Sequence, residues 1–566
     1  MAAFRIPVGY EDFDEIRENC DYYVDKSGLI YDLLTKTRNK ATLFTRPRRF
    51  GKTLAMSMIQ SFFDITRDRR AMFEGLEISQ HEDFCRRWMN QRPVLFVSFK
   101  AVEGLNFESA MAEMRTTLAN VCKMIPFLAS SDKVLKKDVE IFNRLIGAKA
   151  TQEDLTSSLL SLCRMLEAHF GRKVVLLIDE YDVPLAMANE NGYYRRMLDM
   201  MRKVFQYAVK TNPHLEFAVI TGCLRIAKES IFTGMNNFAS YSILNEDFSQ
   251  YFGFTHAEVA TILKVAGIED RAEAIRLWYD GYIFGDRAVY CPWDVVNYVA
   301  DAVRNPKARP GNYWNNTSHN GVIRTFIDRT DFVVKPDFET LMNNGTVQAT
   351  ISDELTYDLL HSSEQNLWSL LFMTGYLTKA NPEERGPVVS LRIPNREVST
   401  IFETTAMQWF HDTLDRTRQR ELFTALWSGD EKNATKILSD LLWGTISFHD
   451  YREDYYHGFL VGTFAGAGYS VSSNQERGLG RPDMVVLDSP NRRALILETK
   501  KAENEAAMER ACEEALEQIA EKRYAEDDSF YGYRTILCYG IAFYRKEALV
   551  KGVFHGADSV PAHQTR

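Results

Sequence analysis

The chain has 566 residues, of which 45% are hydrophobic and 26% are charged, and its formal net charge at pH 7 is −9. A chain of this length exceeds what one hydrophobic core usually organises, so we expect two or three domains. The negative charge argues against a globally basic nucleic-acid-binding protein, although it leaves room for a local basic groove.

Eight cysteines are scattered along the chain without a Cys-x-x-Cys pair. This pattern favours a reducing cytoplasm and argues against a zinc site or a disulfide framework. The first residues lack the charged-then-apolar pattern of a signal peptide, and no apolar run approaches the roughly 20 residues needed to span a bilayer. We therefore expect a cytoplasmic protein with no membrane partner.

A strand end, a tight loop and a helix start are predicted within residues 43–54. Residues 46–53 of this stretch read Arg-Pro-Arg-Arg-Phe-Gly-Lys-Thr. Gly51 lets the backbone approach phosphates, Lys52 supplies a cation for the β- and γ-oxygens, and Thr53 offers a hydroxyl to Mg2+. The loop is therefore a candidate site for ATP.

This loop matches the usual phosphate-binding pattern incompletely. Arg46 stands where that pattern has its first glycine, so an ordinary helix start is the alternative interpretation. Arg46 and Arg49 are also assigned to the nucleotide site. The stretch before the loop, residues 22–26, either covers the base of the nucleotide or forms a packed N-terminal lid without ligand contact.

A second element favours the nucleotide site. Residues 174–182 read Val-Val-Leu-Leu-Ile-Asp-Glu-Tyr-Asp, which indicates a strand buried on both faces that ends in two carboxylates. Asp179 would hold Mg2+ together with Thr53, and Glu180 would orient and deprotonate the attacking water. The alternative is an apolar strand followed by a solvated acidic turn, which is less often found in one chain with Gly-Lys-Thr.

A third strand is predicted over residues 217–222. Thr221 at its end is a candidate to reach the γ-phosphate as a sensor residue, and Arg225 is a candidate phosphate contact. The alternatives are a plain strand end and a surface arginine.

The alternation of strands and helices predicts an α/β fold with a parallel sheet. We place a phosphate-loop ATPase domain over residues 1–300 and a mainly helical connector over residues 301–445. Aromatic residues between about 245 and 300 are interpreted as packing of a small domain rather than as a base-stacking surface. A C-terminal α/β domain is predicted over residues 446–566.

A second catalytic constellation is predicted near the C-terminus. Asp483 begins one strand, and fifteen residues later Glu498 and Lys500 end another, on one face because strand side chains alternate. Two carboxylates can hold Mg2+, and the lysine can help to activate a water and offset phosphodiester charge. The alternative is a pair of amphipathic strands with surface charges.

Further residues flank this constellation. Residues 480–482, Gly-Arg-Pro, precede Asp483, and a helix predicted over residues 504–524 closes the pattern. Glu476 and His457 are candidates to complete the metal site, or are merely structural.

The loop at residues 46–53 together with Ile-Asp-Glu-Tyr-Asp at residues 178–182 resembles the AAA-ATPase-like family of bacterial proteins, in which the first loop glycine is commonly replaced. Residues 221–228, Thr-Gly-Cys-Leu-Arg-Ile-Ala-Lys, are similar to that family too. The C-terminal part resembles the PD-(D/E)XK nuclease superfamily through Pro482-Asp483 and Glu498-Thr-Lys500. The resemblance implies ATP and Mg2+ as ligands and DNA or RNA as partner.

Three functions follow as hypotheses. The first is an ATP-regulated, metal-dependent nuclease. The second is an ATP-dependent switch whose catalytically silent nuclease-like domain binds nucleic acid or protein. The third, a helicase-like translocase, ranks lowest because the sequence has no separate helicase motifs. AAA-type ATPases frequently form rings, so a homo-oligomer is one expectation, although no arginine finger for a neighbour's site is evident.

Overall fold

The computed structural model of the chain contains two compact units. The first comprises Met1–His319 with Thr346–Thr400, and the second comprises Asn320–Gly345 with Ile401–Arg566. The predicted connector, residues 301–445, is therefore divided between the two units. The structure describes residues 4–36, 39–225, 238–314, 335–342, 344–352, 355, 363–402, 404, 416–443, 456, 459–460, 463–464, 469–473, 482–527, 530 and 532–556.

The first unit is built on a parallel sheet whose five strands have the order β2-β3-β4-β1-β5. The strands are β1 (Ala41–Thr45), β2 (Val94–Ser98), β3 (Val174–Asp179), β4 (Leu215–Gly222) and β5 (Phe238–Tyr241). All six residues of β3 are buried, as its unbroken apolar run predicts. Because the strands are parallel, the carboxyl ends of β1, β3 and β4 meet at one edge of the sheet.

Helices surround this sheet and continue through the second unit. In chain order they are α1 (Phe13–Glu18), α2 (Gly28–Thr35), α3 (Lys52–Phe63), α4 (Glu82–Trp88), α5 (Phe107–Met124), α6 (Lys136–Ile146), α7 (Gln152–Phe170), α8 (Val183–Glu190), α9 (Tyr194–Phe205), α10 (His256–Ala266), α11 (Ala272–Tyr279), α12 (Pro292–Arg304), α13 (Lys335–Met342), α14 (Glu364–Met373), α15 (Arg416–Ser428), α16 (Glu431–Trp443) and α17 (Met508–Glu521). Among the described helices, none combines the length and the apolar character that crossing a bilayer requires.

The middle of the chain contains more strand than its pattern predicts. Residues 320–445 were expected to be mostly helical, yet part of this region forms an antiparallel sheet of order β8-β10-β9, and a hairpin β6–β7 precedes it. These strands are β6 (Tyr282–Phe284), β7 (Arg287–Val289), β8 (Val347–Thr350), β9 (Thr378–Lys379) and β10 (Val388–Arg392). Strands of two to five residues are too short for a clear alternation of apolar and polar residues, which explains the incomplete prediction.

The second unit has a mixed sheet of order β11-β12-β13-β14-β15. Its strands are β11 (Ser470–Ser473), β12 (Met484–Asp488), β13 (Arg493–Lys501), β14 (Thr535–Tyr544) and β15 (Glu547–Gly556). β13 and β14 are parallel and α17 connects them, while the other pairs are antiparallel. The predicted α/β architecture of both ends of the chain is confirmed, although β14 and β15 were not predicted.

A buried pair of carboxyl groups lies in the first unit. Asp294 on α12 and Glu397 are both fully buried, and Glu397 Oε1 accepts hydrogen bonds from the backbone N–H groups of Tyr313, at 2.5 Å, and Trp314, at 2.8 Å. Burial and the neighbouring charge of Asp294 raise the pKa of Glu397 from 4.5 to about 10. Glu397 is therefore neutral at pH 7, so the folded state holds a proton that the unfolded chain releases.

Replacing Glu397 by glutamine tests whether the folded chain holds this proton. Because the folded pKa is raised, the wild-type chain loses stability as pH rises from about 4 towards 10, while a glutamine keeps both backbone contacts without needing a proton. We expect Glu397→Gln to melt at the same temperature as wild type near pH 4. At pH 8 it should melt at a higher temperature, by about 2–4 °C for each kcal/mol gained in the free energy of unfolding. Glu397→Ala, which removes the acceptors, should melt lower at both pH values. Equal melting curves of Glu397→Gln and wild type at pH 8 would contradict the assignment.

Candidate functional sites

The phosphate loop joins β1 to α3 at the carboxyl edge of the parallel sheet. Gly51 has a φ of 80° and Arg49 a φ of 72°, so two residues of the loop are left-handed. Such a backbone points successive N–H groups into one concavity that suits an anion. A Cβ on Gly51 would meet no atom within 4 Å, and no described side chain caps the start of α3. The N–H groups of a first helical turn have no partner within the helix and suit an anion.

Lys52 begins α3 and lies beneath this loop. Its Nζ donates to the carbonyl oxygens of Arg46 and Pro47, both at 3.1 Å, and lies 3.9 Å from Glu180 Oε1. Burial opposes the charge, but the neighbouring groups Cys223 and Glu180 outweigh it and raise the pKa of Lys52 above its usual value. Lys52 therefore remains a cation at the place where the loop would receive phosphate.

Asp179, at the end of β3, joins two other predicted residues, Thr53 and Thr221, into one network. Thr53 Oγ1 donates to its Oδ2 at 2.9 Å, and the Thr221 hydroxyl donates to its Oδ1. Asp179 is fully buried, and burial raises its pKa above the usual range, although the Thr221 hydrogen bond opposes the shift. A carboxylate and a hydroxyl in contact at the edge of a phosphate loop are the oxygen ligands that Mg2+ prefers, so these residues fit a magnesium ion.

Glu180 follows Asp179 with a backbone φ of 52°, in the left-handed region. A glutamate in this region carries strain that persists only where the surrounding structure imposes it, as happens at functional sites. Its carboxylate is partly exposed, with 18% of the side-chain surface accessible, and is the one that faces Lys52. The geometry leaves this carboxylate open to a water molecule.

Two further residues of this site were not predicted. Asp182 Oδ2 accepts the backbone N–H groups of Cys223 and Leu224, both at 2.9 Å, and thereby fixes the loop after β4. Burial, together with the charge of Glu180, raises the pKa of Asp182 to about 6. The Cys223 sulfur lies 3.6 Å from Lys52 Nζ. The position of Asp182, three residues after Asp179 in the same acidic run, was the available signal.

Three arginines of the loop occupy different environments. The Arg46 side chain, predicted to bind the nucleotide, points instead into the core, where it donates to the carbonyl oxygens of Thr45 and Tyr241 and lies 4.9 Å from the Phe252 ring centroid. Burial lowers its pKa to about 9. This correction has a simple cause: the carbonyl acceptors and aromatic rings behind the loop enclose the side chain completely.

Arg49 and Arg48 lie closer to the surface than Arg46. The Arg49 guanidinium lies 4.1 Å from the centroid of the Trp293 ring. Arg48 is exposed; burial opposes its charge, but the charges of Glu180 and Asp182 outweigh this and raise its pKa.

The remaining candidates of the first unit have contacts of their own. Tyr22 packs against Phe4, with ring centroids 5.5 Å apart, and Lys26 forms an ion pair with Glu258 at 2.7 Å. Residues 22–26 therefore make packing contacts within the first unit. The carbonyl of Arg225 accepts the N–H of Leu355 at 3.2 Å, so its backbone is tied to another segment of the same unit.

The second site lies at one end of the mixed sheet. The backbone N–H of Asp483 donates to Glu498 Oε2 at 3.2 Å, because β12 and β13 are paired at this point. Asp483 Oδ2 accepts from the N–H of Thr499 at 2.8 Å and from its hydroxyl at 2.7 Å. The structure therefore brings the backbone of Asp483 to the Glu498 carboxylate. The Asp483 carboxylate itself is oriented by Thr499.

Lys500 and Glu498 occupy one face of β13, opposite α17. Lys500 Nζ lies 3.8 Å from Glu498 Oε1 and donates to Gln518 Oε1 at 2.8 Å, while Gln518 Nε2 donates to Glu498 Oε1. Glu498 is buried, whereas 29% of the Lys500 side chain is accessible. Gln518 thus bridges the two predicted catalytic residues.

The carboxylates of Asp483 and Glu498 are oxygen ligands on adjacent strands, the type of ligand that a hard divalent cation binds. Within the described part of the chain, no three His, Cys, Asp or Glu side chains come together as a metal-binding group. His457 and Glu476, the candidates to complete the site, lie outside the described residues.

Comparisons with known proteins match two parts of the chain. Residues 7–232 match a family model described as a predicted AAA-ATPase, and residues 451–552 match the PD-(D/E)XK nuclease superfamily. The chain is also 27% identical over 570 residues to a protein of Azotobacter chroococcum mcd 1 described as "Uncharacterized protein in vnfD 5'region", covering 98% of this chain and 99% of that relative. The chain therefore combines an AAA-ATPase-like domain with a domain of the PD-(D/E)XK nuclease superfamily.

Proposed function

We propose that the chain binds and hydrolyses ATP and that this activity controls metal-dependent cleavage of nucleic-acid phosphodiesters by its C-terminal domain. The observation that carries the first half is the Thr53–Asp179–Thr221 network beside the charged Lys52. The second half is supported by the joined residues Asp483, Glu498 and Lys500.

At the first site each residue has a definite task. Lys52 and the N–H groups of the loop bind the phosphates, and Thr53 with Asp179 would hold Mg2+, which neutralises phosphate charge when bound. Glu180 takes a proton from the attacking water. The oxygen of that water bonds to the γ-phosphorus, and the bond between the γ-phosphorus and the β–γ bridging oxygen breaks. Thr221 keeps the Asp179 carboxylate oriented.

At the second site the chain's own residues orient a water and the phosphodiester. Asp483 and Glu498 would hold Mg2+, which supplies a Lewis acid and an acidified water when bound. Lys500 offsets the charge that develops on the phosphate as the water oxygen bonds to phosphorus and the bond to the leaving oxygen breaks. The attacking water gives a proton to solvent, and the leaving oxygen takes a proton from solvent. Gln518 holds Lys500 beside Glu498.

The second candidate function is an ATP-dependent switch with a catalytically silent C-terminal domain that binds nucleic acid or protein. One observation favours it: one oxygen of Asp483 is already bound by both donors of Thr499. An orientation fixed in this way suits a metal ligand, but it also suits a carboxylate with only a structural role.

A cleavage assay separates the two functions. The full chain is incubated with single- and double-stranded DNA and RNA, with Mg2+ or Mn2+, at low and moderate salt, with and without ATP. We expect cleavage of at least one substrate, at a rate that changes with ATP. ATP hydrolysis without cleavage of any substrate would leave the switch as the function, and failure to bind ATP would overturn the ATPase assignment.

A further inference from the structure

We propose that Arg48 is a further catalytic residue, which supplies from within the same chain the positive charge that stabilises the γ-phosphoryl group during its transfer to water. This inference rests on the proposed ATP hydrolysis. Arg48, for which the sequence motif predicts no role, would be the basic side chain of the loop that contacts the reacting phosphate.

The placement of the other loop arginines supports this choice. Arg46 is fully buried, and its guanidinium is held by the carbonyl oxygens of Thr45 and Tyr241, so it cannot turn towards the mouth of the loop without breaking up the core behind it. Arg49 stacks on Trp293. Arg48 alone of the three is exposed.

Arg48 also belongs to the loop that surrounds Lys52, whose Nζ donates to the carbonyl oxygens of Arg46 and Pro47 and lies 3.9 Å from Glu180 Oε1. The charges of Glu180 and Asp182 favour the charged guanidinium of Arg48 and raise its pKa, although burial opposes this. Since Lys52 is the residue that contacts the β- and γ-oxygens in this type of loop, a second cation around the same cluster lies within reach of the γ-phosphate.

The chemistry requires such a charge. In phosphoryl transfer the negative charge is spread over three equatorial oxygens, and an arginine on these oxygens accelerates the reaction by about 10³–10⁵-fold. Its planar fork can bind two phosphate oxygens at once. The proton taken by Glu180 and the bond broken at phosphorus are those of the hydrolysis described above, so Arg48 adds no new reactant.

The test compares Arg48→Ala with wild type and with Arg86→Ala, in which an exposed arginine of α4 paired with Asp83 is removed. We expect Arg48→Ala to bind ADP as wild type does, to lower kcat for ATP by at least about 100-fold, and to lose binding of ADP with aluminium fluoride, which mimics the transferring group. Arg86→Ala should behave as wild type. Arg48→Lys, which keeps the charge but not the fork, should have an intermediate kcat and covers the case in which the alanine variant fails to fold.

Two outcomes would overturn the inference while leaving the ATPase intact. One is an active wild type whose Arg48→Ala variant turns over ATP within about 3-fold of it, far below the loss expected for such an arginine. The other is a wild-type turnover per chain that rises with protein concentration and vanishes on dilution, because the charge would then come from another chain. A wild type without any ATP hydrolysis would refute the proposed function itself.

Discussion

Glu180→Gln is expected to bind ATP with wild-type affinity and to lower kcat for hydrolysis by about 10²–10⁴-fold, the usual contribution of a general base. Glutamine has the shape of glutamate but cannot accept the proton of the attacking water. The groups proposed to bind phosphate, Lys52 and the N–H groups of the loop, remain unchanged in this variant. Titration of a fluorescent ATP analogue gives the affinity, and release of phosphate under single-turnover conditions gives the rate.

Two variants make this result specific. Glu190→Gln changes an exposed glutamate at the end of α8 and should hydrolyse ATP as wild type does. Lys52→Ala removes the buried cation beneath the loop and should lose triphosphate binding rather than turnover alone. Normal turnover by Glu180→Gln would show that another group activates the water, and Asp182, which lies in the same acidic cluster, would be the next residue to test.

The sequence was sufficient to predict local structure where one short segment contains both the structural pattern and the candidate site residues. The run 174–179 is apolar at every position before Asp179, so its burial and its position at a sheet edge followed directly, and the structure has the strand there. The same holds for Lys52 and Thr53, because a strand, a loop and a helix that follow one another place these residues with little freedom.

The sequence was insufficient to predict a side chain's contacts where its partner residue lies far along the chain. Arg46 occupies a glycine position of the motif, and only the fold shows that carbonyl groups 1 and 195 residues away and the Phe252 ring enclose it. Gln518 meets Glu498 across 20 residues because α17 packs against β13. Such contacts depend on tertiary packing, which local periodicity does not encode.

In the C-terminal domain, Lys500→Ala is expected to lower the rate of nucleic-acid cleavage by about 10²–10³-fold or more, as loss of one charge-stabilising donor typically does. Lys501→Ala is the matched control: its lysine is the next residue of β13 and exposed, and it points to the opposite face, so cleavage should persist. Single-turnover cleavage of an end-labelled substrate measures the rates, and a binding assay in Ca2+ measures affinity separately.

The same pair of variants decides between the two candidate functions of this domain. If the domain is a nuclease, Lys500→Ala retains most of its nucleic-acid affinity but loses cleavage, because the metal ligands Asp483 and Glu498 and the fold around them are intact. Asp483→Asn, which weakens a metal ligand but leaves an oxygen for Thr499, should then lose cleavage as well. If Lys500→Ala or Asp483→Asn cleaves as wild type does, the reaction takes place elsewhere. If wild type binds but never cleaves, the contacts of Asp483 with Glu498 and Thr499 serve to hold the end of the sheet together in a binding domain.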